Sequence, residues 1–171
     1  MSILKPSDFT GFHQPAGSDE NDELLQAYID KHESKCVKLL FGIEMGKLIL
    51  ADIALGATSP TNADYQKVWE PFEEVGSSDQ QWISEGVLEI LKSYIFWHYI
   101  IHTAVQHTQA GTTTAAIDTQ QKGNPMRFAE SRWNYMLDSW DAIQEYIAEN
   151  ESTYPDYLYI EPPDPKFDGV L

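Results

Sequence analysis

The residue types that most often carry chemistry are few in this sequence. His98 and His102 stand four residues apart, so on a helix they share a face, as paired histidine ligands of a metal ion do. The zinc-protease motif needs a glutamate directly after its first histidine, and Tyr99 occupies that position. A third ligand would have to come from another segment. The pair is more typical of core or interface histidines, and a metal-binding helical bundle is kept as an alternative function.

The single cysteine and the glycines add no catalytic motif. Cys36 lies at helical spacing from Ile29 and Leu40, which indicates a packing role rather than a nucleophile. The segment between Gly42 and Gly46 has neither the spacing nor the lysine of a phosphate-binding loop. Carboxylates are spread along the whole chain and single out no acid–base pair. We therefore predict a protein that is not an enzyme and that uses no cofactor and no metal.

The charge of the chain is strongly acidic. Lys and Arg total 11 against 27 Asp and Glu, which gives a formal net charge of −16. Recognition of nucleic acid needs clustered basic side chains, and the only arginines are Arg127 and Arg132. Specific DNA binding is therefore not expected. Two interpretations of the acidity stay open: a solvated surface, or a surface that faces DNA without holding it.

Length and apolar content predict one folded domain with an arm at each end. The chain has 171 residues, of which 42% are hydrophobic and 12% aromatic, values typical of a folded protein. Its most apolar run, residues 94–101, is too short to span a bilayer. We predict an N-terminal arm over residues 1–17, a helical domain over residues 18–150 and a C-terminal arm over residues 151–171.

Apolar periodicity predicts four to five helices in this domain. Their expected spans are residues 18–42, 43–55, 63–75, 84–107 and 125–149. Pro71 should kink or divide the third helix, and Ser84 should cap the fourth. Leu48, Ile49 and Ile53 should be the buried residues of the second. The apolar stripe of the last helix should consist of Trp133, Met136, Trp140, Ile143 and Ile147. The fourth helix is apolar on nearly every side, as is typical of a helix surrounded by other helices or by neighbouring subunits, and we take it as the central one.

A threonine-rich stretch over residues 110–124 separates the last two predicted helices. Its glycines and threonines favour either a flexible loop or a short β-hairpin, which could contact a neighbouring subunit. The candidate contact residues are Thr112, Thr113, Thr114 and Ile117. The predicted fold is therefore mainly α: a helical bundle around a long central helix, with this loop or hairpin and an extended C-terminal arm.

The C-terminal arm is too rich in proline for a helix and too rich in aromatic residues for a purely solvated tail. An extended segment with spaced apolar side chains is a recurring form of docking peptide. A tail folded back on its own bundle is the alternative. The candidate docking residues are Tyr154, Tyr157, Leu158, Tyr159, Ile160 and Phe167.

Three segments together carry a resemblance to a known group of proteins. They read LQAYIDKHESKCVKLLFG at residues 25–42, SEGVLEILKSYIFWHY at residues 84–99 and RWNYMLDSWDAIQEYI at residues 132–147. In this order they resemble small proteins of the structural modules of Bacteroidetes phages and prophages, including crAss-like phages. Those proteins are similar in layout to the helical adaptors that form a ring beneath the portal. The resemblance covers about residues 20–150.

The resemblance implies a structural virion protein at the head–tail junction, assembled in the host cytoplasm. It implies a connector ring of about twelve copies, with the portal on one side and neck or tail proteins on the other. Genome DNA would pass through the ring without specific binding, and no membrane is involved. An acidic inhibitor that imitates DNA is the alternative from another class. Such an inhibitor needs carboxylates at phosphate-like spacing on one face, whereas the acidity here is spread along the chain.

Overall fold

The computed structural model describes residues 2–10, 13, 20–53, 58–109 and 125–164. Within these ranges the protein is mainly α-helical, as predicted. Its helices are α1 (Glu20–Phe41), α2 (Ile43–Ile53), α3 (Ala63–Trp69), α4 (Val87–Gln109) and α5 (Pro125–Glu149). No helix of the described ranges is both long and apolar enough to cross a membrane. The threonine-rich segment with Thr112, Thr113, Thr114 and Ile117 lies outside the described residues.

A two-stranded antiparallel sheet takes the place of the second half of the predicted third helix. Strand β1 (Phe72–Val75) pairs with strand β2 (Gln81–Ser84). The division of this helix at Pro71 is confirmed, because α3 ends just before it and Glu70 has extended backbone angles, as residues before proline prefer. The helical continuation to Val75 is wrong.

The start of α4 also differs from the prediction. Ser84 is the last residue of β2, and its Oγ accepts a hydrogen bond from the Gly86 N–H at 3.1 Å. Gly86 has a φ of +86°, a conformation that favours glycine, and α4 begins at the next residue. Ser84 therefore terminates a strand and does not cap the helix.

The core lies where α4 packs against α1, α3 and α5. On α5 the whole predicted apolar stripe is buried: Trp133, Met136, Trp140, Ile143 and Ile147. The N-terminal half of α4 is covered as well, with these residues buried: Val87, Ile90, Leu91, Tyr94, Ile95, Phe96, Trp97 and Tyr99. The chain itself covers this part of α4, so its apolar composition does not require a neighbouring subunit.

Two glycines allow α2 to fold back against α1. Gly42 ends α1 with a φ of +80°, as a helix-terminating glycine does. A Cβ on Gly46 would lie 2.9 Å from the Lys38 Cα, so only glycine permits this approach of the two helices. Ile49 and Ile53 are buried as predicted. Leu48 is 45% exposed, and its prediction as a core residue is wrong, because it lies on the solvent side of α2.

The N-terminal segment packs against the helical domain. Ile3, Leu4 and Phe9 are no more than 5% exposed and join the main core. The Glu33 carboxylate on α1 accepts hydrogen bonds from the backbone N–H groups of Ile3 and Leu4, both at 2.9 Å. A short 3-10 turn over Pro6–Asp8 follows. Of the predicted arm over residues 1–17, the described part is thus part of the domain's own packing.

Candidate functional site

The first half of the C-terminal segment is anchored in the domain. After α5 the chain turns, and Tyr154 becomes 3% exposed, with its hydroxyl donating to the Asp64 carbonyl at 2.9 Å. Its ring lies edge-on to Tyr146 at 6.4 Å. Tyr157 is half-buried, and its N–H donates to the Tyr154 carbonyl at 3.1 Å. Burial raises the pKa of both hydroxyls. These two predicted docking residues are used within the chain itself.

The next two residues are displayed to solvent. Leu158 is 67% and Tyr159 61% exposed. The backbone of Leu158 runs directly over Gly42, where a Cβ would lie 2.8 Å from the Leu158 carbonyl oxygen. Ile43, the residue after this glycine, is 53% exposed. We call Ile43, Leu158 and Tyr159 the corner patch: Leu158 lies over the glycine between α1 and α2, Ile43 follows that glycine, and Tyr159 follows Leu158.

A buried amide holds the chain just after Tyr159. Gln144 on α5 is 3% exposed, and its Nε2 donates to the Ile160 carbonyl at 2.9 Å and, at 3.4 Å, to the Leu40 carbonyl. This one side chain thus joins the C-terminal segment, α5 and the end of α1. Ile160 itself is half-buried. Phe167, the last predicted docking residue, lies outside the described residues.

Sequence reasoning missed Gln144 and Glu33, although a signal for both is present. Each is a polar residue on a buried helical face: Gln144 follows Trp140 by four positions, and Glu33 follows Ile29 by four. A polar side chain in a buried stripe must have a hydrogen-bond partner. Here the partners are the backbones of the two non-helical ends of the chain. The sequence does not show which distant backbone groups Gln144 and Glu33 bind.

Some of the carboxylates fix the sheet and are not simply solvated charges. Glu145 accepts hydrogen bonds from the Trp82 indole at 2.7 Å and the Gln80 amide at 2.6 Å. Glu149 accepts from the Ser77 N–H at 3.1 Å and its hydroxyl at 3.0 Å. Partial burial and then the negative charges of Glu145 and Asp138 raise the pKa of Asp141. The outer face of α5 is therefore crowded with negative charge.

His32 and His98 form a stacked pair of rings, whereas His102 of the predicted pair lies beside Tyr28. The His32 and His98 rings lie 4.2 Å apart at 14°. One ion cannot lie in the planes of two such rings, which nitrogen coordination requires. His102 is exposed, with its ring 5.6 Å from that of Tyr28. Among the described residues, no group of three or more His, Cys, Asp or Glu is placed to hold a metal ion.

The side chains of Cys36 and His13 are also buried. Cys36 is 1% exposed, and burial raises the pKa of its thiol, which makes it a poor nucleophile. His13 is 4% exposed; its Nε2 lies 2.9 Å from the Ser93 hydroxyl and its Nδ1 3.8 Å from a Glu89 carboxylate oxygen. Burial and then Arg132 lower the pKa of His13 to about 4, while Glu89 opposes this.

No family model, curated protein sequence or solved structure matches this chain.

Proposed function

We propose that this protein is a non-enzymatic structural subunit of a phage head-to-tail connector. In this proposal it forms a ring of about twelve copies, bound to the portal on one side and to neck or tail proteins on the other, around the path of the DNA in the virion. The corner patch is the docking element. The observation that carries this assignment is the pair of exposed apolar side chains of Leu158 and Tyr159 between two anchored points of the chain.

The corner patch is ordered before any partner binds. Tyr154 and Tyr157 hold the chain on one side of it, and the Gln144 hydrogen bond to Ile160 holds it on the other. Ordering a flexible segment on binding costs free energy, and a segment that is already held avoids part of that cost. A leucine and a tyrosine fixed in solvent are therefore suited to contact another protein surface, and tyrosine is frequent where interfaces are strongest.

Charge supports the same assignment. Copies with a net charge of −16 repel one another, so assembly has to depend on apolar contact or on a partner of opposite charge. The same negative charge repels the phosphate backbone of DNA, so DNA would not bind to a channel wall made of this protein. The chain itself covers the first half of α4, so this part of the helix is not available for assembly, and we assign docking to the corner patch.

Co-purification with the portal protein encoded in the same gene neighbourhood tests the proposal. The full chain and that portal are co-expressed, purified through the portal and imaged by electron microscopy. We expect a ring of this protein stacked on the portal ring. The double variant Leu158→Ser/Tyr159→Ser should bind at least about ten-fold more weakly, equivalent to about 1.4 kcal/mol.

The matched control is Val75→Ser/Ile83→Ser. These two apolar side chains are 65% and 54% exposed, close to the exposure of the corner patch, but they lie on β1 and β2 and do not belong to that patch. This variant should bind the portal as the unmodified chain does. A wild-type chain that forms neither a ring nor a portal complex contradicts the connector assignment. A ring that tolerates the corner variant as well as the control shows that another surface docks.

A further inference from the structure

Three rings from α1 and α4 form a continuous stack at the contact between these helices. Tyr28 and His32 lie 5.7 Å apart with planes 9° from parallel, and His32 and His98 lie 4.2 Å apart at 14°. The two imidazoles thus form one of the contacts between α1 and α4. Stacking at this distance is favourable for neutral rings and unfavourable for two cations.

The two imidazoles are held where a positive charge is costly. His32 is 6% exposed, and His98 is half-buried. Neither the Nδ1 of His32 nor the Nε2 of His98 is exposed, and neither has a hydrogen-bond partner among the described residues. Burial and then nearby positive charges lower the pKa of each ring to about 4. Protonation would thus place two charges 4.2 Å apart in a partly buried site, where each is solvated less well than in water.

Among the described residues, no carboxylate is one of the groups that shift the pKa of either ring. From α1, the charged groups that act on the pair are Lys31 and Lys35, and both disfavour protonation. The Glu33 carboxylate instead accepts hydrogen bonds from the N-terminal backbone. The other ring groups around the stack are aromatic: Tyr94, Tyr99 and His102 from α4, and Trp133 from α5.

We propose that the His32–His98 stack is an acid-sensitive latch, which holds α1 against α4 while both imidazoles are neutral and releases that contact when they are protonated. The latch weakens as the pH falls because the two histidines bind protons more weakly in the folded chain than in the opened one. The folded pKa of about 4 lies below the ordinary value of 6.5. The contribution of the latch is therefore fully present above pH 6.5 and is lost as the pH falls from there through about 4.

Hydrogen exchange followed peptide by peptide tests the latch in the full chain. After correction for the intrinsic pH dependence of exchange, the opening of α1 should increase at least about ten-fold between pH 7 and pH 5, because each solvated histidine gains a proton in that interval. Peptides from α5, which carries no histidine, should respond much less. An equal rise in both helices would indicate global acid unfolding and would overturn the proposal.

The variant His32→Phe/His98→Phe keeps two stacked rings but cannot take up protons. It should remove the extra opening of α1 at pH 5, while His102→Phe, at an exposed position of the same helix, should leave it unchanged. His13 is intact in both, so its own titration cancels in the comparison. If the double variant does not fold, NMR titration of the wild-type imidazoles decides: His32 and His98 titrating near pH 4 support the latch, and titration near 6.5 in the folded chain overturns it.

Discussion

The two ends of the chain are alike in composition but differ in how far their side chains are buried. Both contain prolines and spaced apolar residues, and both are predicted as arms. In the described part of the N-terminal segment, Ile3, Leu4 and Phe9 are all buried in the main core. In the C-terminal segment, Tyr154 is buried but Leu158 and Tyr159 are left in solvent.

The difference shows that apolar content alone does not distinguish a docking arm from part of the core. A segment is absorbed by its own domain where the domain offers both an apolar pocket and a polar partner for the segment's backbone. Glu33 is such a partner for Ile3 and Leu4, and Gln144 is one for Ile160. Between Tyr157 and Ile160 the side chains of Leu158 and Tyr159 stay in solvent. In our proposal these two side chains contact another protein.

The largest effect expected from this comparison is at Phe9. Replacing this 3% exposed ring by alanine removes a large buried side chain from the main core. The free energy of unfolding should fall by about 3–5 kcal/mol, measured by urea denaturation followed by circular dichroism. A loss below about 1 kcal/mol would mean that the N-terminal segment is an arm, as the sequence alone predicts.

A smaller loss is expected at Glu33. Glu33→Ala leaves the buried N–H groups of Ile3 and Leu4 without their acceptor and should cost about 1–3 kcal/mol of unfolding free energy. Glu33→Gln is the matched control, because its amide oxygen can still accept at the same place. The glutamine variant should regain a substantial part of the loss in the same denaturation assay. Equal losses would assign the effect to charge rather than to the backbone hydrogen bonds.

The anchor of the C-terminal segment should respond more weakly. Tyr154→Phe keeps the buried ring and removes only the hydroxyl that donates to the Asp64 carbonyl. The free energy of unfolding should fall by about 0.5–1.5 kcal/mol, and binding of the portal should weaken only as far as the segment loosens. Thermal denaturation of the wild-type protein and of Tyr154→Phe measures the change in stability. A variant as stable as wild type would show that the hydroxyl finds an equivalent partner in water.

The smallest effect on stability is expected at Tyr159, in the exposed part of the C-terminal segment. Tyr159→Ser alters a side chain that is 61% exposed, so the free energy of unfolding should change by no more than about 0.5 kcal/mol. Urea denaturation of this variant and of Phe9→Ala compares how much each end of the chain contributes to the free energy of unfolding. A clear destabilisation by Tyr159→Ser would mean that the ring packs on its own domain, and the corner patch would then lose a member.

Local pattern determined the parts of the fold that depend on neighbours in sequence. The apolar residues of α5 recur at helical spacing, and all five predicted stripe residues are buried, from Trp133 to Ile147. The predicted helix over residues 18–42 ends at Gly42, where α1 also ends, since a glycine in the left-handed conformation terminates a helix. The charge of −16 and its argument against DNA recognition also follow from composition alone.

Only the tertiary structure decided the rest, because those features depend on residues far apart in the chain. Leu48 and Ile49 are equally apolar, and only the position of α1 makes one exposed and the other buried. The hydrogen bond of Tyr154 to Asp64 spans 90 positions, and that of Gln144 to Leu40 spans 104. Periodicity carries no information at such separations. The division of the C-terminal segment into an anchor and an exposed patch therefore became visible only when these distant backbones were placed together.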